Sequence, residues 1–380
     1  MKIAYLGIKG LPSKGGTERV VEAIVKRLVG KHTITVYCDT AYTPAGSTIH
    51  GVRLIRIPSV TGKYLHPTFL FLLQALHALF FGDYDLIHMH GVDACFTLPI
   101  LRLRYKVLST SHGSQSRVHR DKWNKLSQFM LQQTEYPFCF LSNYATSVSN
   151  ADAKFYQARY HAKVAYIPNG VDTNLSYNLD AACVELSRHG IQPGNYLLFA
   201  AGRIDPTKGC HLVIEAFNQV RPDIPLLVVG NIDQVPSYAA NLRQMAANRP
   251  VIFLPLVTNK ELLFGIVKLS RLFIFPSISE GMSIMLLEAA SLGVPILCSD
   301  IEENSTVLKT TALYFKSGDS CDLAARLACA LEHPDQMRTL GENASVLLSQ
   351  NLTWNRIVSC YDRLYETCAL GGLFPSFDFE

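Results

Sequence analysis

Two glutamates eight residues apart, Glu280 and Glu288, stand inside the phrase FPSISEGMSIMLLEAASLGVP at 275–295 of this 380-residue chain. The run 271–275 is short, apolar and β-prone, while 283–292 has helical spacing with Leu286, Leu287 and Ala290 as its inner face. Glu280-Gly281 therefore falls in a strand-to-helix turn. Main-chain N–H groups at such a turn, here those of Gly281, Met282 and Ser283, lie at the positive end of the helix dipole and can receive phosphate oxygens or sugar hydroxyls. Glu280 stands at the mouth of that receptor and Glu288 two turns inside the helix. Pro276 ends the strand, Gly281 lets a ligand approach the backbone closely, and Gly293-Val294-Pro295 stops the helix before the next strand.

Three further loops carry residues of the same chemical kind. At 8–16 (IKGLPSKGG), Gly15 and Gly16 open a helix and would let the main chain close on a diphosphate, although a tight turn without ligand reads the same. At 201–209 (AGRIDPTKG), Gly202, Arg203 and Lys208 follow a strand, a planar fork and a mobile point charge where a leaving phosphate would gather negative charge. Ion pairs of these two cations with Asp205 or Glu215 are the competing reading. His112, in STSHGS, closes a strand and stands beside Gly113; a lone histidine in that place is either structural or a ligand contact.

The wording of these loops resembles the family 4 glycosyltransferases, retaining enzymes of the GT-B fold. The phrase at 275–295 is similar to their E-x7-E motif, 202–209 to GR-x4-KG, 110–113 to T/S-x-H-G and PNGVD at 168–172 to an interdomain phrase. The N-terminal loop and RDKW at 120–123 resemble a rhamnosyltransferase-like branch, in which Trp123 stacks on an acceptor sugar or packs in the core. The resemblance implies a nucleotide sugar as donor substrate and a glycan or lipid-linked acceptor, in cell-envelope polysaccharide synthesis. It implies catalytic roles for Glu280, Arg203, Lys208 and His112, the last against the donor sugar. Glu288 would hold the ribose, and Val257 the base through main-chain atoms. It also implies attack from the leaving-group side, the departing phosphate oxygen taking the acceptor proton. Met282 stands where an aromatic residue is common, and Pro255 where a glycine is usual. Two other classes share the diphosphate loops: a nucleotide-sugar epimerase, for which no second carboxylate pair is found, and a silent binding subunit, which would be expected to lack Glu280 or Lys208.

The elements that position these loops alternate twice. Strand-like runs fall at 2–7, 33–38, 52–57, 86–90, 106–110, 138–141 and 164–167, and again at 196–201, 226–229, 251–254, 272–275, 296–298 and 313–315. Helical segments between most of them, 143–157 among them, specify an α/β chain with two doubly wound, Rossmann-like parallel sheets, their ligand loops at the carboxyl ends of the strands facing across a cleft. We read 1–175 as an acceptor-side domain and 190–352 as the nucleotide-sugar domain, with 168–193 as the hinge, Gly170 supplying a positive φ, and the last helix, 353–370, returning to the first domain.

Composition narrows the class. With 48% apolar and 17% charged residues the chain can fill two cores. The start of the chain shows no leader pattern, which predicts a cytoplasmic protein. The apolar run 69–81 is too short to span a bilayer and reads as a buried crossover helix. The ten cysteines include no C-x2-C pair, and no D-x-D ends a strand, so neither metal nor cofactor is expected. A net charge of +4 does not support nucleic-acid binding. Basic residues crowd 102–125 (Arg102, Arg104, Lys106, Arg117, Arg120, Lys122, Lys125), a composition suited to an anionic lipid surface or to a solvated helix face.

Overall fold

The computed structural model describes residues 1–58, 65–117 and 125–375, together with 377 and 379. The chain forms two compact units, Met1–Gly170 with Trp354–Glu380, and Val171–Thr353. Seven parallel strands build the first: β1 (Lys2–Leu6), β2 (Thr33–Asp39), β3 (Val52–Ile57), β4 (Leu86–His90), β5 (Lys106–Ser111), β6 (Tyr144–Ser147) and β7 (Val164–Tyr166). Their order is β3-β2-β1-β4-β5-β6-β7. The second sheet has β8 (Leu197–Arg203), β9 (Leu226–Asn231), β10 (Val251–Leu254), β11 (Leu272–Phe275), β12 (Ile296–Ser299) and β13 (Leu313–Phe315), in the order β10-β9-β8-β11-β12-β13. Both are doubly wound parallel sheets, the class the alternation predicts.

Strands covered on both faces must be apolar along their whole length. Ile3, Ala4, Tyr5 and Leu6 of β1 are all fully buried, as are Leu226, Leu227 and Val228 of β9. Each sheet reverses its strand order once, between β1 and β4 and between β8 and β11. At such a point successive connections leave toward opposite faces, so the loops at the carboxyl ends part and leave a crevice. The loops singled out above follow β1, β5, β8, β10 and β11.

The helix Trp354–Leu370 packs within the first unit. Its inner face, Ile357, Tyr361, Leu364, Tyr365 and Cys368, recurs at helical spacing, and the hydroxyl of Tyr365 lies 2.9 Å from that of Tyr5 and 2.8 Å from Nδ1 of His88.

Four expectations need correction. The run 138–141 is no strand: Glu135–Leu141 is a helix, and the strand is Tyr144–Ser147, where helix was expected, the next helix being Asn150–Tyr160. The apolar run after Leu65 forms the helix Leu65–Phe81 but is buried on one side only, Leu70, Gln74 and Ala78 lying inside while Phe80 and Phe81 are exposed. Among the described residues no helix is long and apolar enough to cross a membrane. Gly170 does not take a positive φ; a Cβ there would lie 2.7 Å from the Trp354 ring, so close packing is what demands glycine. The basic run is not one free face, since Lys106 donates to the carbonyl of Ala369 and Arg117 pairs with Asp152, while Arg120, Lys122 and Trp123 lie outside the described residues.

Gly230 sits at φ +149°, and a Cβ there would stand 2.0 Å from the carbonyl oxygen of Ala201. Gly230→Ala is therefore expected to cost about 1–3 kcal/mol through strain alone. Urea denaturation checks it, and an unshifted midpoint would contradict this account of the strand end.

Candidate active site

In the second domain two loops at the β8/β11 reversal are fastened to each other. The end of β8 slips register against β9 between Ala201 and Arg203, which turns Gly202 and Arg203 outward into solvent. Asp205 accepts a hydrogen bond from the Thr207 N–H (3.0 Å) and so caps the single turn Pro206–Lys208. Gly209 follows at φ +68°, where a Cβ would lie 2.3 Å from the carbonyl oxygen of Pro276. From the other loop, Ile278 donates its N–H to the Thr207 carbonyl at 2.9 Å. These ties bring Lys208 Nζ to 2.5 Å from Glu280 Oε1, with the two side chains 22% and 10% exposed.

Behind that contact, Ser299 at the end of β12 donates its hydroxyl to the Ser277 carbonyl (2.5 Å), and Asn304 donates in turn to Ser299. Gly281 is buried, and Met282 and Ser283 are half-buried. Ser283 caps the helix Ile284–Ser291 by accepting from the Leu286 N–H at 3.3 Å, and Glu288, buried, lies in the middle of this helix. Val257 is half-buried and stands apart, after β10 and two strands from β8, in the loop before the helix Lys260–Lys268. Neither alternative partner holds Lys208: its carboxylate is Glu280. Arg203 has no ion pair among the described residues. The capping role of Asp205, read from the sequence only as an ion-pair partner, and the parts of Thr207, Ser277 and Ser299 escaped the sequence reading; Asp-Pro-Thr after a strand was a legible capping signal for the first two.

In the first domain the loop after β1 leaves through Gly7, at φ +82° and with its Cβ position 2.1 Å from the His90 carbonyl oxygen. Side chains then hold it, Thr43 with Leu11, Glu18 with the Lys9 N–H (3.2 Å) and Glu22 with the Ser13 N–H (2.8 Å). Gly15 is the N-cap of the helix Gly16–Leu28 without a side-chain cap, and the space beside Gly16 is open. His112, half-buried just past β5, stacks on His90 with ring centroids 5.2 Å apart, its Nε2 lying 2.9 Å from His90 Nδ1. Burial pushes the His112 imidazolium down to about 4, and burial together with the neighbouring histidines holds His88 and His90 well below the ordinary range.

A family model described as Glycosyltransferase Family 4 matches residues 14–175, and one described as Glycosyl transferases group 1 matches residues 185–346. The D-inositol 3-phosphate glycosyltransferase of Pseudarthrobacter chlorophenolicus is 27% identical over 202 residues, spanning 50% of this chain and 47% of that protein, about half of its length. The phosphatidyl-myo-inositol mannosyltransferase of Mycobacterium leprae is 25% identical over 303 residues, covering 77% of this chain and 75% of that protein. HepE from Anabaena, solved in complex with UDP-glucose, has the same fold, with a TM-score of 0.78 at 19% identity, covering 97% of this chain and 100% of that one.

His88, His90 and His112 together make a stability prediction whose sign follows from linkage. Their folded-state pKa values lie below the unfolded value of about 6.5, so under that pH the unfolded chain binds protons that the folded chain refuses. Stability should be full above pH 6.5 and fall as the pH drops toward about 4. Guanidinium titrations across that window check it, with a smaller slope expected for His112→Asn; a flat wild-type profile would contradict the buried neutral cluster.

Proposed function

We propose that the chain is a family 4 glycosyltransferase, a retaining, metal-independent hexosyltransferase of the GT-B fold that uses a nucleoside-diphosphate sugar. The observation that carries this reading is the Lys208–Glu280 contact at the strand-order reversal, which sets a cation for a leaving diphosphate beside a carboxylate for the sugar. Arg203 and Lys208 neutralise the diphosphate, with the Gly15 and Gly16 amides as further ligands from the first domain and Gly202 opening the approach. Glu288 accepts from the ribose hydroxyls, Val257 meets the base, and the sugar hydroxyls meet main-chain N–H groups of Gly281, Met282 and Ser283. His112 contacts the sugar ring. Glu280 orients the sugar and offsets positive charge as the bond from its anomeric carbon to phosphate breaks. The acceptor oxygen bonds to that carbon on the same face, and its proton passes to the departing phosphate oxygen, so no protein base is needed.

The acceptor in this reading is a glycan or lipid-linked saccharide of an envelope polysaccharide pathway, handled at the inner membrane face. Phe80, Phe81 and Leu103 are exposed, Arg102 and Arg104 flank Leu103, and Arg104 hydrogen-bonds the Leu79 carbonyl at 2.8 Å, an apolar patch with cations that suits peripheral contact with anionic lipid.

Hydrolysis or transfer measured over a panel of nucleotide sugars tests the function. Glu280→Gln is expected to lower turnover at least about a hundredfold, roughly 3 kcal/mol of transition-state stabilisation, with nucleotide affinity nearly unchanged. Near-normal turnover would remove Glu280 from the chemistry. Glu288→Ala is expected to weaken free diphosphate binding by about 1–3 kcal/mol in calorimetry, and unchanged affinity would detach it from the ribose. Transfer should survive EDTA and collapse in Arg203→Ala or Lys208→Ala, and proton NMR of the first product should show the donor's anomeric configuration. An inverted anomer, or strict dependence on a divalent cation, would overturn the reading.

A further inference from the structure

At the first sheet two buried imidazoles, His88 and His90, and the half-buried His112 are satisfied unequally by the fold. His88 uses both ring nitrogens, Nδ1 with the Tyr365 hydroxyl at 2.8 Å and Nε2 with Thr110 Oγ1 at 2.7 Å. That chain runs on from Tyr365 to Tyr5 (2.9 Å) and from Thr110 to Thr146 (2.7 Å). His90 is fully buried and uses one nitrogen only. Its Nδ1 lies 2.9 Å from His112 Nε2, while its Nε2 has no hydrogen-bond partner among the described residues.

Burial keeps both rings of the His90–His112 pair neutral near pH 7, so a single proton occupies the N···N bond. Two arrangements are open. If His112 donates from Nε2, the proton of His90 must sit on its own Nε2, a buried donor with no acceptor. If His90 donates from Nδ1, its bare Nε2 faces the core and His112 carries its proton on Nδ1. Native structures avoid an orphaned buried N–H more strictly than an under-used acceptor, which favours the second. The ring of His90 is also held in place, with His88 at 3.9 Å between centroids and Tyr5 stacked at 5.8 Å, so it cannot easily turn over to exchange its nitrogens.

We propose that His90 is a positioning residue: by donating Nδ1–H to Nε2 of His112 it fixes His112 in the Nδ1–H tautomer and makes it a hydrogen-bond donor to an oxygen of the donor sugar. The described residues supply no acceptor to that Nδ1. The inference deepens the proposed function and rests on its contact between His112 and the sugar. Such an N–H donates to a hydroxyl, ether or carboxylate oxygen and disfavours an ammonium, so the site discriminates against an amino substituent at that position of the sugar.

Long-range proton–nitrogen NMR of the full chain labelled with 15N-histidine reads the tautomers at pH 7 without any substitution. Both His90 and His112 should show the Nδ1–H pattern. His90→Asn, whose amide nitrogen takes the place of Nδ1, should keep the His112 pattern, and His90→Leu should convert it at least half to Nε2–H. Titration with UDP-glucose, GDP-mannose and UDP-N-acetylglucosamine, each against its free nucleoside diphosphate, should move the His112 Nδ1–H resonance only with whichever intact sugar the enzyme turns over. An Nε2–H pattern for wild-type His112, or an unchanged pattern in His90→Leu, would overturn the tautomer control while leaving glycosyl transfer standing. Unaltered turnover in His112→Ala would instead overturn the sugar contact, with the wild-type tautomer pattern still intact.

Discussion

The contact between Lys208 and Glu280 is the constraint around which the second domain is arranged. Bringing an ammonium and a carboxylate out of water costs more than their attraction returns unless the geometry is held. The surrounding main chain supplies that hold: Asp205 fixes the turn bearing Lys208, Gly209 lets that turn lie against Pro276, and the Ile278 N–H ties the loops directly. Replacing any of these would loosen two charges at once. The pair and these ties therefore fasten the loops after β8 and β11 to each other although neither is a regular element. They also explain why Lys208 has its position set before any anion arrives.

The same problem, presenting polar groups at the reversal of a parallel sheet, is met differently in the first domain. There the chain turns away from β1 at Gly7, pressed against the His90 carbonyl, and the polar groups behind it are buried imidazoles and hydroxyls linked in a chain. Networks of this kind are costly when one member is unmet and strongly specifying when all are met. The helix Trp354–Leu370 contributes Tyr365 to it, so a segment from the far end of the sequence helps hold the ring of His88 on β4.

How far the chain could be read from its residues depended on whether polarity followed burial. Strands such as β1, β9 and β11 are apolar throughout and were legible within a residue or two. β6 was not, because Tyr144–Ser147 carries buried hydroxyls on Thr146 and Ser147, and only pairing with partners such as Thr110 makes that burial tolerable. The neighbouring FCFL run read as strand for the opposite reason. In the helix Glu135–Leu141 it buries Phe138 and leaves Phe140 exposed, and a short apolar run without a clear period cannot separate the two conformations. Gly170 shows a related limit: a glycine required by a neighbouring indole looks, in sequence, like one required by a turn.

The candidate site was legible where chemistry and chain direction coincide, and the two glutamates show the difference. Glu280 lies before the N-cap of the helix Ile284–Ser291, where the unpaired N–H end of the helix and Lys208 both bring positive potential. Glu288 lies inside the helix, beyond the turn over which the dipole is felt, its place set by packing. A negative leaving group arriving at this turn would compete with Glu280 for Lys208 and find the same helix end favourable, while Glu288 would be untouched by that exchange. Under the proposed function, the eight-residue spacing thus separates a carboxylate that would respond to the charge of the diphosphate from one that would only bind. Only the first needed the loop after β8, and that loop is over seventy residues away in the chain, which is why the spacing alone could not reveal the pairing.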